Sequence, residues 1–389
     1  MAPERPQPRN KLQQLFPSTK LPVIISAPML GVTNGTLAAN VSKAGGLGMV
    51  AGGHDLQPGS AHLRALEADL EAARALLGLA DLTLTPAPVG VGFVTCRPGA
   101  AALFREAALP ILERYLPQAV WLFAPDPGAA AAGDQPRAHP EMIAALHDRG
   151  VKVFVQVGTV AAAREAVRDG ADVIVAQGVD AGGHQFAAGA GVISLVPEVR
   201  AMLDTEFAGR DIALVAAGGI SDPSAVVAAI ALGADGVVMG TKFIVAKESS
   251  APEYRRKAIL EAEDGGSTTV KSTFHDDILG TTVWPKMYDG RAIITDSYRD
   301  HESGVSLEEN RARFGAAKDA GDNSRQVTWS GTGVGLVKDA IPAADIVRNT
   351  QLAARQRLQA LRFAFEDEGK DPTEKSWIKE IGHTLYKHK

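Results

Sequence analysis

Short apolar runs recur along the chain, each bounded by Gly or Pro and each followed by an alanine-rich stretch with helical spacing. The runs at 23–27, 48–51, 89–94, 120–124, 152–157, 172–176, 212–217 and 236–239 are continuous rather than alternating, so they read as strands buried on both faces. The intervening patterns predict helices at 35–44, 61–77, 100–115, 140–149, 160–169, 197–203 and 223–232. Ser221-Asp222-Pro223 has the form of a helix start, with a capping side chain and Pro in the first turn. Gly150, Gly170 and Gly233 each follow a helical run, where a terminating glycine is expected. Strands alternating with helices predict parallel βαβ units of the α/β class. Their number favours a closed (β/α)8 TIM barrel over an open doubly wound sheet.

The rhythm stops after Val245. Segments 251–263 and 343–365 read as helices. Residues 263–330 are polar and irregular, with scattered His, Trp and Arg, as in a cap over a barrel mouth. The expected organisation is an N-terminal extension at 1–20, the barrel at 21–250, an accessory or cap region at 251–342 and a C-terminal helical segment at 343–389. The Ala-, Gly- and Pro-rich piece at 125–136 reads as a flexible loop with no function of its own.

Composition narrows the class. A chain of 389 residues buries a large core, and 46% hydrophobic with only 5% aromatic content suits closely packed α/β layers. The net charge of −5 gives no electrostatic case for nucleic acid or an anionic membrane. A single cysteine, Cys96, excludes an intrachain disulfide framework and any multi-cysteine metal site. The polar, Pro-rich first twenty residues lack a secretory apolar core, and no apolar stretch reaches membrane-spanning length uninterrupted. The expectation is a soluble, cytoplasmic protein.

In a barrel, the loops after the strands form the catalytic face, so residues far apart in sequence converge there. Ala27-Pro28-Met29-Leu30-Gly31 ends the first strand, and its backbone can lie against a flat ring system. Gln156 and Gln177 end otherwise apolar strands, where an amide can both donate to and accept from a heteroaromatic ring edge. Ala216-Ala217-Gly218-Gly219-Ile220 and Val238-Met239-Gly240-Thr241 end the seventh and eighth strands. Glycines admit an anion to main-chain N–H groups, and phosphate sites after these two strands recur in this fold. Gly240, Thr241 and Lys242 offer donors. His184 lies in Gln177-Gly178-Val179-Asp180-Ala181-Gly182-Gly183-His184, a glycine-rich loop at a strand end. Its imidazole titrates near neutrality and suits removing a proton beside an electron-withdrawing group. Asp180 reads as a turn residue, with a ligand or an orienting acid as the alternative, and Cys96 as a packed thiol, with a place facing the cavity as the alternative. The remaining histidines (His54, His62, His139, His147, His275, His301, His383 and His388) show no paired metal spacing, so no metal site is expected. Ser26 and Ser194 lack the context of a hydrolase nucleophile. The residues therefore point to a phosphate-bearing cofactor beside a base.

With these motifs assembled, the chain resembles the nitronate monooxygenase family, formerly called 2-nitropropane dioxygenases. The resemblance rests on 27–31, Ala44-Gly45-Gly46-Leu47-Gly48, 177–184, 216–220 and 232–243, with a weaker echo in Gly331-Thr332-Gly333-Val334-Gly335-Leu336. It implies FMN bound in the barrel mouth at 21–250. Pro28, Met29 and Leu30 would meet the flavin ring by main chain. Gln177, Gly182, Gly183 and Gln156 would lie on the flavin. Gly218, Gly219, Val238, Met239, Gly240 and Thr241 would bind the phosphate. His184 would be the catalytic base or substrate-polarising group. The chain departs from the bacterial pattern at Gly90-Val91-Gly92-Phe93, where Gly-Val-Asn is common, and at Asp180, where Glu is frequent.

The activity implied is oxidation of an alkyl nitronate, or a similar stabilised carbanion, by molecular oxygen to a carbonyl compound and nitrite. The partners implied are thus a small-molecule substrate and oxygen. The alternatives are a flavin-dependent NAD(P)H reductase of the enoyl-acyl-carrier type, a tailoring oxidase on another substrate, a barrel retaining FMN without catalysis, and a phosphosugar isomerase. The sequence leaves the oligomeric state open.

Overall fold

The computed structural model describes residues 10–80, 84–125, 138–281 and 283–367. The piece expected as a flexible loop at 125–136 lies, beyond its first residue, outside them. Eight parallel strands form one sheet: β1 (Val23–Ser26), β2 (Gly48–Gly53), β3 (Ala87–Val94), β4 (Pro117–Phe123), β5 (Lys152–Val157), β6 (Val173–Gln177), β8 (Ala213–Ala217) and β9 (Gly236–Met239). Their order runs β1-β9-β8-β6-β5-β4-β3-β2. Leu47 closes the ring beside β1, its N–H donating to Ile24 O at 2.9 Å and its carbonyl accepting from Ser26 N at 3.2 Å. The chain is thus a (β/α)8 barrel, as the alternation predicted.

Each strand turns alternate residues to opposite sides, and both sides are buried. Val173 and Val175 of β6 pack inside the barrel, while Ile174 and Ala176 pack against the helices. In β8, Ala213, Val215 and Ala217 face inward, with Leu214 and Ala216 outward. This double burial is why the strands appear in sequence as unbroken apolar runs. The capping signals singled out in the sequence lie at helix ends. Asp222 accepts from Ala225 N at 2.9 Å and Ser224 N at 3.2 Å with Pro223 in the first turn. Gly150, Gly170 and Gly233 all take left-handed backbone angles.

The expected helix 100–115 is interrupted by a π-helical turn at Phe104–Ala108, where Leu109 N–H reaches back to Phe104 O. Pro110 follows two residues after it. It has no N–H to give the carbonyl four residues back, and its ring crowds that carbonyl, so the wider turn relieves the clash. The helix expected to begin at Pro197 instead spans Val192–Glu206. The carbonyl that Pro197 leaves without a helical donor belongs to Ile193, a residue that is 70% exposed.

Two further differences bear on the site. Residues expected as an N-terminal extension include the helix Lys11–Leu15, whose Leu12, together with Phe16, is fully buried under the barrel. The Phe16 ring lies 5.6 Å from that of Phe154, so this segment stoppers the end opposite the catalytic face. The region read as irregular, 263–330, contains strands β10 (Thr269–Ser272) and β11 (Tyr288–Ile293). With β7 (Gly183–Phe186) they form an antiparallel sheet in the order β10-β11-β7. The segment carrying His184 is therefore not a free loop: it is an edge strand of the cap. The helix Ala343–Asp367 then runs back along the barrel, with Val347 and Ala354 buried and Gln351 Nε2 donating to Lys20 O at 2.9 Å. Among the described residues no helix is long and apolar enough to cross a membrane.

Candidate active site at the mouth of the barrel

The strand ends and the cap enclose a cavity of about 500 Å³, within the range of cofactor and substrate sites. Pro28, Met29, Leu30, Gln156, Gln177, Gly182, Gly183, His184, Gly218, Gly219, Val238, Gly240 and Thr241 all line it, so the sequence-predicted residues converge. Met239 does not. It is buried in the layer between barrel and helices, because alternation along β9 turns its neighbour Val238 inward instead. Lys242 also leads away, paired with Asp339.

His184 stands opposite Gly290 of β11 in the cap sheet. Its Nε2 lies 2.9 and 3.0 Å from the two carboxylate oxygens of Asp276. Trp284 stacks on the imidazole, with ring centres 3.8 Å apart and planes 12° from parallel. Trp329 covers it at 4.7 Å and 50°. Gly290 makes this possible: a methyl group there would lie 2.4 Å from Trp329 Cζ3.

Below the histidine runs a chain of amides. Trp121 Nε1 donates to Gln156 Oε1 at 3.1 Å, Gln156 Nε2 to Gln177 Oε1 at 2.7 Å, and Gln177 Nε2 to His184 O at 3.3 Å. The chain fixes which end of each amide is which.

Across the mouth, Gly218 and Gly219 both take left-handed angles, with φ of 104° and 71°. The 331–336 segment locks over them. Thr332 N donates to Asp180 O at 3.0 Å, Gly331 N donates to Thr241 Oγ1 at 3.1 Å, and a methyl on Gly333 would lie 2.5 Å from Gly219 O. The weak sequence echo is thus the piece that joins the two glycine loops. Asp180 contributes its carbonyl to this tie and does not line the cavity, and neither does buried Cys96.

Sequence reasoning missed Asp276, Trp284, Trp329, Arg97, Arg255 and His54 as site residues. Arg97 and Arg255 line the cavity with buried Nε atoms that have no hydrogen-bond partner among the described residues. His54 is pushed down to about 4 by burial first, then by His62 and Arg97, so it is neutral at physiological pH. No Asp or Glu lines the cavity among the described residues. The signal for His54 and Arg97 was present, since they follow β2 and β3 closely. Among the described residues no cluster of His, Cys, Asp or Glu could hold a metal ion.

The sequence profile described as Nitronate monooxygenase matches residues 129–352. The chain is 56% identical over 357 residues to a nitronate monooxygenase of Neurospora crassa, covering 91% of this chain and 94% of that one. It belongs to the nitronate monooxygenase family. It is therefore an enzyme of the nitronate monooxygenase type. Among solved structures, a nitroalkane oxidase from Streptomyces ansochromogenes superposes with a TM-score of 0.65 at 26% identity, over 89% of this chain and 99% of that one. FabK from Thermotoga maritima gives 0.68 at 24% identity, over 92% and 99%, a likeness of fold alone. Where bacterial members of the nitronate monooxygenase family were expected to carry Asn after the third strand, Gly92 has a local reason. A methyl at this position would lie 2.3 Å from Pro28 Cγ, so Gly92 lets the β1 loop close against β3.

Proposed function

We propose that this member of the family binds FMN in the cavity and uses molecular oxygen to oxidise alkyl nitronates, giving a carbonyl compound and nitrite. The observation that carries the reading is the placement of His184 over the Gln156–Gln177 amide chain, with the paired glycine loops on the same rim.

The residues fit the cofactor. Gly218, Gly219, Gly240 and Thr241 would hold the phosphate. At Gly240 even an added methyl would meet only Ala27 Cβ and Met29 Sδ, at 3.7 Å, so the backbone stands open to a ligand. Pro28, Met29 and Leu30 would lie along the flavin ring by main chain, with Gln177 and Gly182 at its edge. Bound FMN supplies the electron transfer that the side chains of this cavity cannot.

The protein's own part is electrostatic and geometric. A cavity lined by two arginines and, among the described residues, no carboxylate favours an anion, and a nitronate is one. Arg97 follows β3, across the ring from the phosphate loop of β8, so its charge serves the substrate side rather than the phosphate. His184 takes or holds a proton beside the substrate carbon, and Trp284 and Trp329 screen it from water.

Anaerobic mixing of the purified protein with nitronates, nitroalkanes, NADH and NADPH tests the reading, after identification of any flavin released on denaturation. Bleaching of bound FMN by nitronates, with nitrite formed on admitting oxygen, is the expected result. Bleaching by NAD(P)H alone would transfer the assignment to the reductase class, and protein without flavin would end it.

A further inference from the structure

His184 lies on β7, the edge strand of the cap sheet, and other cap residues orient its ring. Stacking on Trp284 fixes the plane of the imidazole ring, yet a half-turn of the ring preserves that plane. The bond to Asp276 decides which edge faces which way. Asp276 is 7% exposed, and Thr281 Oγ1 donates to its Oδ1 at 2.6 Å, so the carboxylate is itself held in place. An ionised carboxylate only accepts hydrogen bonds, so the nitrogen facing it must carry a proton.

We propose that Asp276 is the positioning residue for His184: it holds the neutral ring as the Nε2–H tautomer and leaves Nδ1 as the nitrogen that exchanges a proton with the substrate. The assignment rests on the reading of His184 as the base. With a neutral nitroalkane, the proton leaving the carbon beside the nitro group joins Nδ1, the C–H bonding pair stays on the substrate as the nitronate, and the Nε2 proton does not move. The resulting imidazolium already faces a carboxylate, so no rearrangement accompanies the transfer. Asp276 sits in the helix Phe274–Leu279, and Leu279, Gly280 and Thr281 line the cavity. One cap segment therefore both shapes the substrate space and sets the tautomer of the base.

The direct test is the ring-nitrogen NMR of 15N-histidine-labelled holoenzyme, with the His184 signals assigned by their loss in His184→Asn. A protonated Nε2 and an unprotonated Nδ1 in the neutral ring are expected; the reverse tautomer overturns the proposal. On a neutral nitroalkane, Asp276→Asn should lower kcat by roughly 10–100-fold, less than the roughly 100–10,000-fold of a whole proton transfer because the base itself remains. KM and flavin content should be unchanged, and Asp276→Glu should recover part of the loss. An Asp276→Asn enzyme with wild-type kcat overturns the proposal. Should that variant lose its flavin or its fold, Thr281→Val, which removes the bond steadying the carboxylate while keeping the side chain's shape at the cavity wall, is expected to lower kcat to a lesser degree. A wild-type kcat there counts against the proposal as well. Full turnover by His184→Asn would sink the role of His184 itself, whereas an inactive His184→Asn beside a fully active Asp276→Asn removes Asp276 alone.

Discussion

The main-chain N–H of Gly331 donates to the hydroxyl of Thr241 across 3.1 Å in a buried setting. This bond joins the segment after the cap sheet to the second of the two glycine loops, so the proposed phosphate cradle is assembled from both regions. Thr241→Val keeps the shape and removes the acceptor, leaving the Gly331 N–H without its partner at a cost of about 1–3 kcal/mol. The expected outcome is flavin affinity weakened by about tenfold, a loss of roughly 1.4 kcal/mol, read by titrating apoprotein with FMN. Unchanged affinity and unchanged thermal stability would contradict this placement.

Gly92 offers a sharper steric test. A methyl at this position meets the Pro28 ring at 2.3 Å, too close for any real contact, and the ring has no flexible end to yield. Gly92→Ala should push the β1 loop away from β3 and disturb the surface proposed to meet the flavin ring. The destabilisation expected of overpacking is about 1–3 kcal/mol. The flavin absorbance bands should broaden or shift in the same variant.

Much of the barrel was legible because strands buried on both faces leave continuous apolar runs that no amphipathic helix mimics. His184 and the glycine loops were legible because each sits at a strand end, where the fold concentrates chemistry. The cap sheet was not. β7 is Gly-His-Gln-Phe, with no apolar run, and its partner β11 starts about a hundred residues later. Asp276 had no local mark at all, being one of 45 acidic residues and 92 positions from the histidine it contacts. Phe16 was hidden for a related reason. A five-residue helix among prolines carries too little periodicity to announce that it caps a barrel.

That hidden plug makes a stability prediction. Phe16 is fully buried against Phe154 at the closed end of the barrel, away from the cavity. Phe16→Ala should cost about 3–5 kcal/mol by lost burial and the void left behind. Chemical denaturation should show the loss while the flavin spectrum of the folded variant stays as in wild type, since Phe16 does not line the cavity.

Arg97 separates recognition from chemistry. Its guanidinium lines the cavity with a buried, unpartnered Nε and pairs with no carboxylate among the described residues. If its charge draws the anionic substrate, Arg97→Met should raise KM for nitronates by roughly tenfold, the scale of one charged hydrogen bond. KM for neutral nitroalkanes should change far less. Steady-state kinetics on a matched nitronate and nitroalkane pair reads the contrast, and equal changes on both would remove Arg97 from substrate recognition.

His139 predicts how the fold responds to acid. Its side chain is buried, bonded to Thr95 Oγ1 at 2.9 Å, and burial pushes it down to about 4 from an ordinary value of 6.5. The folded state therefore disfavours the protonated ring that the unfolded chain accepts below 6.5. Between pH 6.5 and 4 the unfolded state binds more protons, so stability falls as the pH falls through that window and is intact above it. The loss from this one group is on the order of 3 kcal/mol. His54 adds to it in the same direction, since it too is pushed down to about 4. His139→Gln, which keeps a polar partner for Thr95 without the titration, should flatten the dependence of melting temperature on pH over this range. A variant whose stability falls with acid as steeply as wild type would show that His139 does not carry the effect.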